Sequence, residues 1–336
     1  MKNVLFASTA LVAVAAAGSA FADGHEGSGG VTIGVSADIA AIYVDQSVTT
    51  SATTAGTTTK ATSDDSGFFF GEDFDVDIGA STTTDNGLTL KANASGENAG
   101  DHNFVISGAF GSVELGDNDG AKDAGMIGIA PGGIVESSTN VPTDPETGLG
   151  IGGDVVDLDQ ADGDLLGYGI LYSSPDLGGG QVFLSYGTET QNGEDQVSAG
   201  AQFGFGPASV GAGVAVSGDD IKYGVSGKVA AGPVTLIAAV DAGEVSNTDV
   251  LIVEASAAFD TGSGTIGIQA SSDLEAEGDN FGVGAWYTLP IGGGANFNLG
   301  AEYVIGTAVT NDAATNTTTE VETESTRVGT SISVSF

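Results

Sequence analysis

The chain has 336 residues, with 45 Asp and Glu against 7 Lys and Arg for a formal net charge of −38, and it carries 55 Gly, 7 Pro and no Cys. Glycine at more than twice its ordinary share of about 7%, without a regular third-position repeat or abundant proline, excludes collagen, and the absence of cysteine excludes a disulfide scaffold or a thiolate metal site. Mean hydropathy is +0.15 and charged residues make up only 15% of the chain, which argues against a disordered acidic tail. The acids must therefore be sorted away from a large apolar surface.

In chain order, the first feature is Met1-Lys2-Asn3 followed by a mostly apolar run from Val4 to Ala17 and then Gly18-Ser19-Ala20-Phe21-Ala22. A basic start, a short apolar core and a small-x-small site are the parts of a secretory signal peptide, so residues 1–22 are expected to be removed and residues 23–336 to form the mature domain. The apolar run is shorter than the ~20 residues that span a bilayer. No later run reaches about 18 apolar residues, so no transmembrane helix is expected.

From there apolar and small or polar residues alternate at period two, in segments of about ten residues separated by Gly, Asn, Asp or Pro, the pattern of a membrane β-barrel. Strands are expected at 31–39, 68–79, 88–95, 103–110, 112–116, 167–174, 181–187, 196–205, 208–217, 221–230, 233–241, 250–259, 264–271, 280–289, 295–304 and 326–336. That makes sixteen when 103–116 is split in two. Phe74, Val76 and Ile78 alternate with Asp73, Asp75 and Asp77, and Val328, Ile332, Val334 and Phe336 with Arg327, Gly329, Ser331, Ser333 and Ser335. The expected links alternate in length. Long ones at 40–67, 117–166 and 305–325 all fall at one end, and tight ones such as Gly206-Pro207 and Ala231-Gly232 at the other. Up-and-down membrane barrels segregate their loops in this way.

Two stretches add a family likeness. Ala109-Phe110-Gly111-Ser112-Val113-Glu114-Leu115-Gly116-Asp117 and Tyr168-Gly169-Ile170-Leu171-Tyr172-Ser173-Ser174-Pro175-Asp176-Leu177-Gly178-Gly179 flank the longest link. Together with the terminal strand ending in Phe336, they resemble the general-diffusion porins of Gram-negative bacteria in their alphaproteobacterial form. The resemblance implies an all-β, sixteen-stranded homotrimeric barrel in outer-membrane lipid. Its third loop would fold inward to narrow the pore, and its terminal Phe336 would serve barrel assembly. One departure stands out: where general porins often oppose the loop with several arginines, this chain has a single Arg.

Residues 117–166 carry eleven acids against Lys122 alone. In bulk solvent such a run is only a solvated loop. At the constriction that the resemblance implies, Glu136, Asp154, Asp157, Asp159, Asp162 and Asp164 would attract cations and repel anions. The cluster Asp157, Asp159, Asp162 and Asp164 is also a candidate Ca²⁺ site, since Ca²⁺ takes oxygen ligands. It lacks the glycine and terminal Glu positions of an EF-hand, and no other cofactor motif is present. Lys91, Lys222, Lys228 and Arg327 fall on the faces opposite apolar partners and are expected in the lumen, because a basic side chain at the lipid midplane costs ~2–4 kcal/mol. They would either set a transverse field against the loop acids or balance nearby inward carboxylates. Tyr172, Tyr287 and Tyr303 suit an interfacial girdle, while the parity of Trp286 points it inward.

The expected function is a passive pore for small hydrophilic solutes and cations. The strongly acidic charge gives no basis for nucleic-acid binding. Alternatives are an acidic surface adhesin or coat protein, which fits the Thr-rich 49–62 and 315–319 segments, or a barrel enzyme. The enzyme would have to rest on His102, expected in a short loop, since His25 lies just after the cleavage site and no nucleophile motif accompanies either.

Overall fold

Period-two alternation gives each strand one face for hydrocarbon and one for water, and in lipid a sheet must close on itself because an open edge leaves backbone groups unpaired. The structure, a computed structural model, describes residues 30–95, 101–128, 168–188, 195–245, 247–276, 280–312 and 317–335. Sixteen strands run through them: β1 (Gly30–Thr54), β2 (Thr57–Thr83), β3 (Thr89–Ser95), β4 (Asp101–Gly108), β5 (Gly111–Asp117), β6 (Tyr168–Ser173), β7 (Gly180–Gly187), β8 (Gln196–Phe205), β9 (Ala208–Ser217), β10 (Asp220–Ala231), β11 (Val234–Val245), β12 (Thr248–Asp260), β13 (Thr265–Asp273), β14 (Phe281–Gly292), β15 (Ala295–Asp312) and β16 (Thr317–Ser335). Neighbours in sequence pair antiparallel, and β1 pairs β16 to close the barrel. A short helix, α1 (Gly120–Gly125), follows β5.

The burial pattern is that of a soluble protein turned inside out. On β10, Ile221, Tyr223 and Val225 are exposed, while Asp220, Gly224 and Ser226 between them are buried. On β13, Ile266 and Ile268 are exposed and Gln269 and Ser271 are buried. In water this arrangement would forfeit the hydrophobic term at every strand, whereas in a bilayer it is the stable one. Trp286 follows its parity inward and is 6% exposed; its ring covers Gly267, where a Cβ would collide with it.

Two expected links are strand instead. The segment 40–67 and, of 305–325, the described residues 305–312 and 317–325, read as long loops, extend β1 and β2 to 25 and 27 residues and β15 and β16 to 18 and 19. Ala55-Gly56 alone turns β1 into β2. Above the membrane both faces of a strand meet water, so the apolar alternation fades, while the high β-propensity of threonine keeps the strand going. Hydroxyl pairs tie this extension together: Thr49 to Thr62 at 3.1 Å, Thr53 to Thr58 at 2.8 Å and Thr54 to Thr317 at 2.8 Å.

The rim is therefore uneven. Next to the tall wall of β15, β16, β1 and β2, the described parts of β3 to β7 run for 6 to 8 residues. His102, expected in a loop, lies on β4 opposite Ala94.

Candidate functional site in the lumen

After β5 the chain turns into the barrel rather than away from it. Helix α1 lies on the inner wall of β7, β8 and β9. No side chain caps its N-terminus, which leaves first-turn N–H groups without a helical partner. The wall supplies acceptors instead. The Ala121 N–H donates to Ser198 Oγ at 2.9 Å and Ser185 Oγ at 3.0 Å, and the Lys122 N–H donates to Ser198 Oγ at 3.3 Å. Past the helix, the Ile127 N–H donates to Ser226 Oγ at 2.6 Å. Ala121 packs on Leu171 and Phe183, Met126 on Ala239 and Ile252, and Ile127 on Ile237.

This close seating requires glycine on the wall. A Cβ at Gly213 would fall 2.6 Å from the Lys122 carbonyl oxygen, and one at Gly200 would collide with that of Ala121. The small inward residues of the sequence thus form a flat floor for α1 as well as lining the lumen. From that floor Asp241 of β11 meets two cations: Lys122 Nζ lies 3.1 Å from one carboxylate oxygen and Lys222 Nζ 3.4 Å from the other. Across the barrel, Arg327 Nη1 lies 3.0 Å from Glu302 Oε1 on the neighbouring strand.

The other side of α1 faces a cleft of about 370 Å³ bordered by β3 to β6, whose lining includes Glu114, Asp117, Asp119 and Asp123 together with Asn93, Asn103 and Asn118. Asn93 Nδ2 donates to Asn103 Oδ1 at 2.7 Å, and Asn103 Nδ2 donates to Glu114 Oε1 at 2.7 Å. This chain across three strands orients the Glu114 carboxylate. His102, on the outward parity of Phe104 and Ile106, stands at the cleft's edge. Four carboxylates around one polar space lower the electrostatic potential there.

Of the residues singled out in the sequence, Glu136, Asp154, Asp157, Asp159, Asp162, Asp164 and Phe336 lie outside the described residues. The candidate Ca²⁺ cluster lies there with them. Lys91 shares the inner face of Asn93, and Lys222 and Lys228 share that of Gly224 and Ser226. Arg327 is inward with Gly329 and Ser331. Two of the four, Lys222 and Arg327, are brought against carboxylates of adjacent strands. Asp241, Glu302 and the pairing of Lys122 escaped the sequence reading. The turn at Gly232, with φ +63°, sets Ala231 opposite Val234, and counting back along that hairpin makes Lys222 and Asp241 diagonal neighbours on one face.

The sequence profile described as Gram-negative porin matches residues 7–319. No curated protein sequence matches the chain. Among solved structures, a porin refined at 1.8 Å resolution superposes with a TM-score of 0.61 at 18% identity, covering 91% of this chain and 100% of its own. An anion-selective porin from Comamonas acidovorans does so at 0.60 and 14%, covering 92% and 100%. A triple mutant of the Rhodopseudomonas blastica porin reaches 0.58 at 15%, covering 91% and 100%.

Proposed function

This chain belongs to the Gram-negative porin family, an integral β-barrel channel of the outer membrane, and on that premise we propose that it is a cation-preferring diffusion pore for small hydrophilic solutes, working as a homotrimer. The observation that carries the ion preference is the cleft beside α1, where Glu114, Asp117, Asp119 and Asp123 converge while Lys222 and Arg327 are held by wall carboxylates. Basic side chains engaged in this way contribute little positive potential to the passage. The fold does not dictate the sign of selectivity, since an anion-selective porin shares it; the charges at the narrow point do. The acids at Glu136, Asp154, Asp157, Asp159, Asp162 and Asp164, further along the same loop, would strengthen the preference. A Ca²⁺ ion on the last four would weaken it, and millimolar Ca²⁺ would then reduce the K⁺ current.

The outer face of β2 supports the trimer. Phe68 and Phe70, 74% and 77% exposed, stand together on it. Aromatic side chains bared side by side on an outer wall fit contact with a second copy.

Planar-bilayer recording tests the selectivity. In a KCl gradient the reversal potential should take the sign of K⁺ permeation, with a K⁺/Cl⁻ permeability ratio well above one. A ratio below one would overturn the assignment of the cleft. Heat-modifiable migration as a trimer tests the assembly.

A further inference from the structure

We infer that Asp241 is the positioning residue of the constriction. With Lys122 and Lys222 it forms a two-cation latch that holds the start of the third loop against the wall and thereby sets the aperture. This inference rests on the reading of the lumen as the conduction path. Lys122 and Asp241 are both fully buried, and their side chains meet at 3.1 Å, while Lys222 reaches the second carboxylate oxygen at 3.4 Å.

The slot is built for this contact. A Cβ at Gly213 would lie 2.7 Å from Lys122 Cα, and one at Gly224 would lie 2.7 Å from Asp241 Oδ1, so glycine on two adjacent strands clears the approach. A helix of six residues has no independent stability. Its place depends on what it touches, and Lys122 to Asp241 is a fully buried ionic contact between α1 and the barrel. Separating a buried ammonium from a buried carboxylate is strongly disfavoured, so the Lys122–Asp241 contact opposes a shift of α1 along the wall.

The stoichiometry makes the latch testable. Removing the carboxylate takes away the group that both ammonium groups contact, whereas removing Lys122 leaves the Asp241–Lys222 pair intact. Removing both leaves a single lysine. Asp241→Asn should therefore disturb the aperture most, Lys122→Met less, and the double variant less than Asp241→Asn alone. A role in packing alone would not produce that order, since each change is close to isosteric and the double variant would be the worst.

The purified full-length protein, recorded as single channels in KCl, reads the outcome as the frequency of sub-conductance transitions. Asp241→Asn should raise it by at least about tenfold, because breaking a buried pair is strongly destabilising. Lys122→Met should raise it by about threefold, the double variant should fall below Asp241→Asn, and Asp241→Glu should remain near wild type. Wild-type quiet in Asp241→Asn, or a double variant noisier than Asp241→Asn, would overturn the latch. If Asp241→Asn fails to assemble, Lys122→Met decides: extra transitions support the latch and their absence overturns it. A wild-type protein that gives no conductance steps at all would instead remove the channel reading itself.

Discussion

The two sides of the lumen use the same residue types to opposite ends. Beside β3 to β6, the carboxylates of Glu114, Asp117, Asp119 and Asp123 border open space. Beside β9 to β11 and between β15 and β16, Asp241 and Glu302 are buried and each meets a lysine or arginine. A carboxylate lining a polar cleft projects its charge into the lumen. One sealed against a cation has no such reach, but it ties two segments together and is costly to leave alone. The acids of the chain therefore divide into some that line the lumen and some that are sealed against cations.

The largest effect expected from this contrast is on stability. Glu302→Gln leaves the Arg327 guanidinium largely buried without its partner and should destabilise the barrel by about 3 kcal/mol. The measurement is the urea midpoint of unfolding in detergent or the temperature at which the folded band disappears. An unchanged midpoint would mean that this pair behaves like a surface ion pair and that the contrast between the two sides fails there.

The second effect is on selectivity rather than stability. Converting Glu114 to Gln and Asp117, Asp119 and Asp123 to Asn together should reduce the K⁺/Cl⁻ permeability ratio severalfold and leave the unfolding midpoint nearly unchanged. Raising the salt toward 1 M, where the screening length falls to ~3 Å, should shrink the same ratio in the wild type. A quadruple variant that keeps its ratio would move selectivity to acids elsewhere in the loop. The smallest change sharpens the point: Lys91→Met removes an inward cation close to the cleft and should raise the ratio by less than about twofold. An unchanged ratio would place Lys91 outside the ion path.

What could be read from the sequence follows the range over which each feature is encoded. The alternation that separates Ile221, Tyr223 and Val225 from Gly224 and Ser226 is local, and it was enough to order sixteen strands and to put Lys222 and Arg327 on inner faces. It failed at 40–67 and 305–325, because a strand with water on both sides has no reason to alternate. Hairpin pairs lie within reach of counting: Arg327 stands directly across from Glu302 once the turn between β15 and β16 is placed.

By itself the sequence determined the alternating strands, which side chains share a face, and the excess of acid between β5 and β6, because side-chain parity and composition carry all three; the closed barrel came from the likeness to porins, since alternation alone does not say what the apolar face meets. Only the tertiary structure decided which carboxylates are open and which are sealed. Lys122 and Asp241 are more than a hundred positions apart and meet only because the chain turns into the lumen after β5, across a floor where Gly200 and Gly213 leave room. Burial next to a cation is a property of that meeting and is written in neither segment alone.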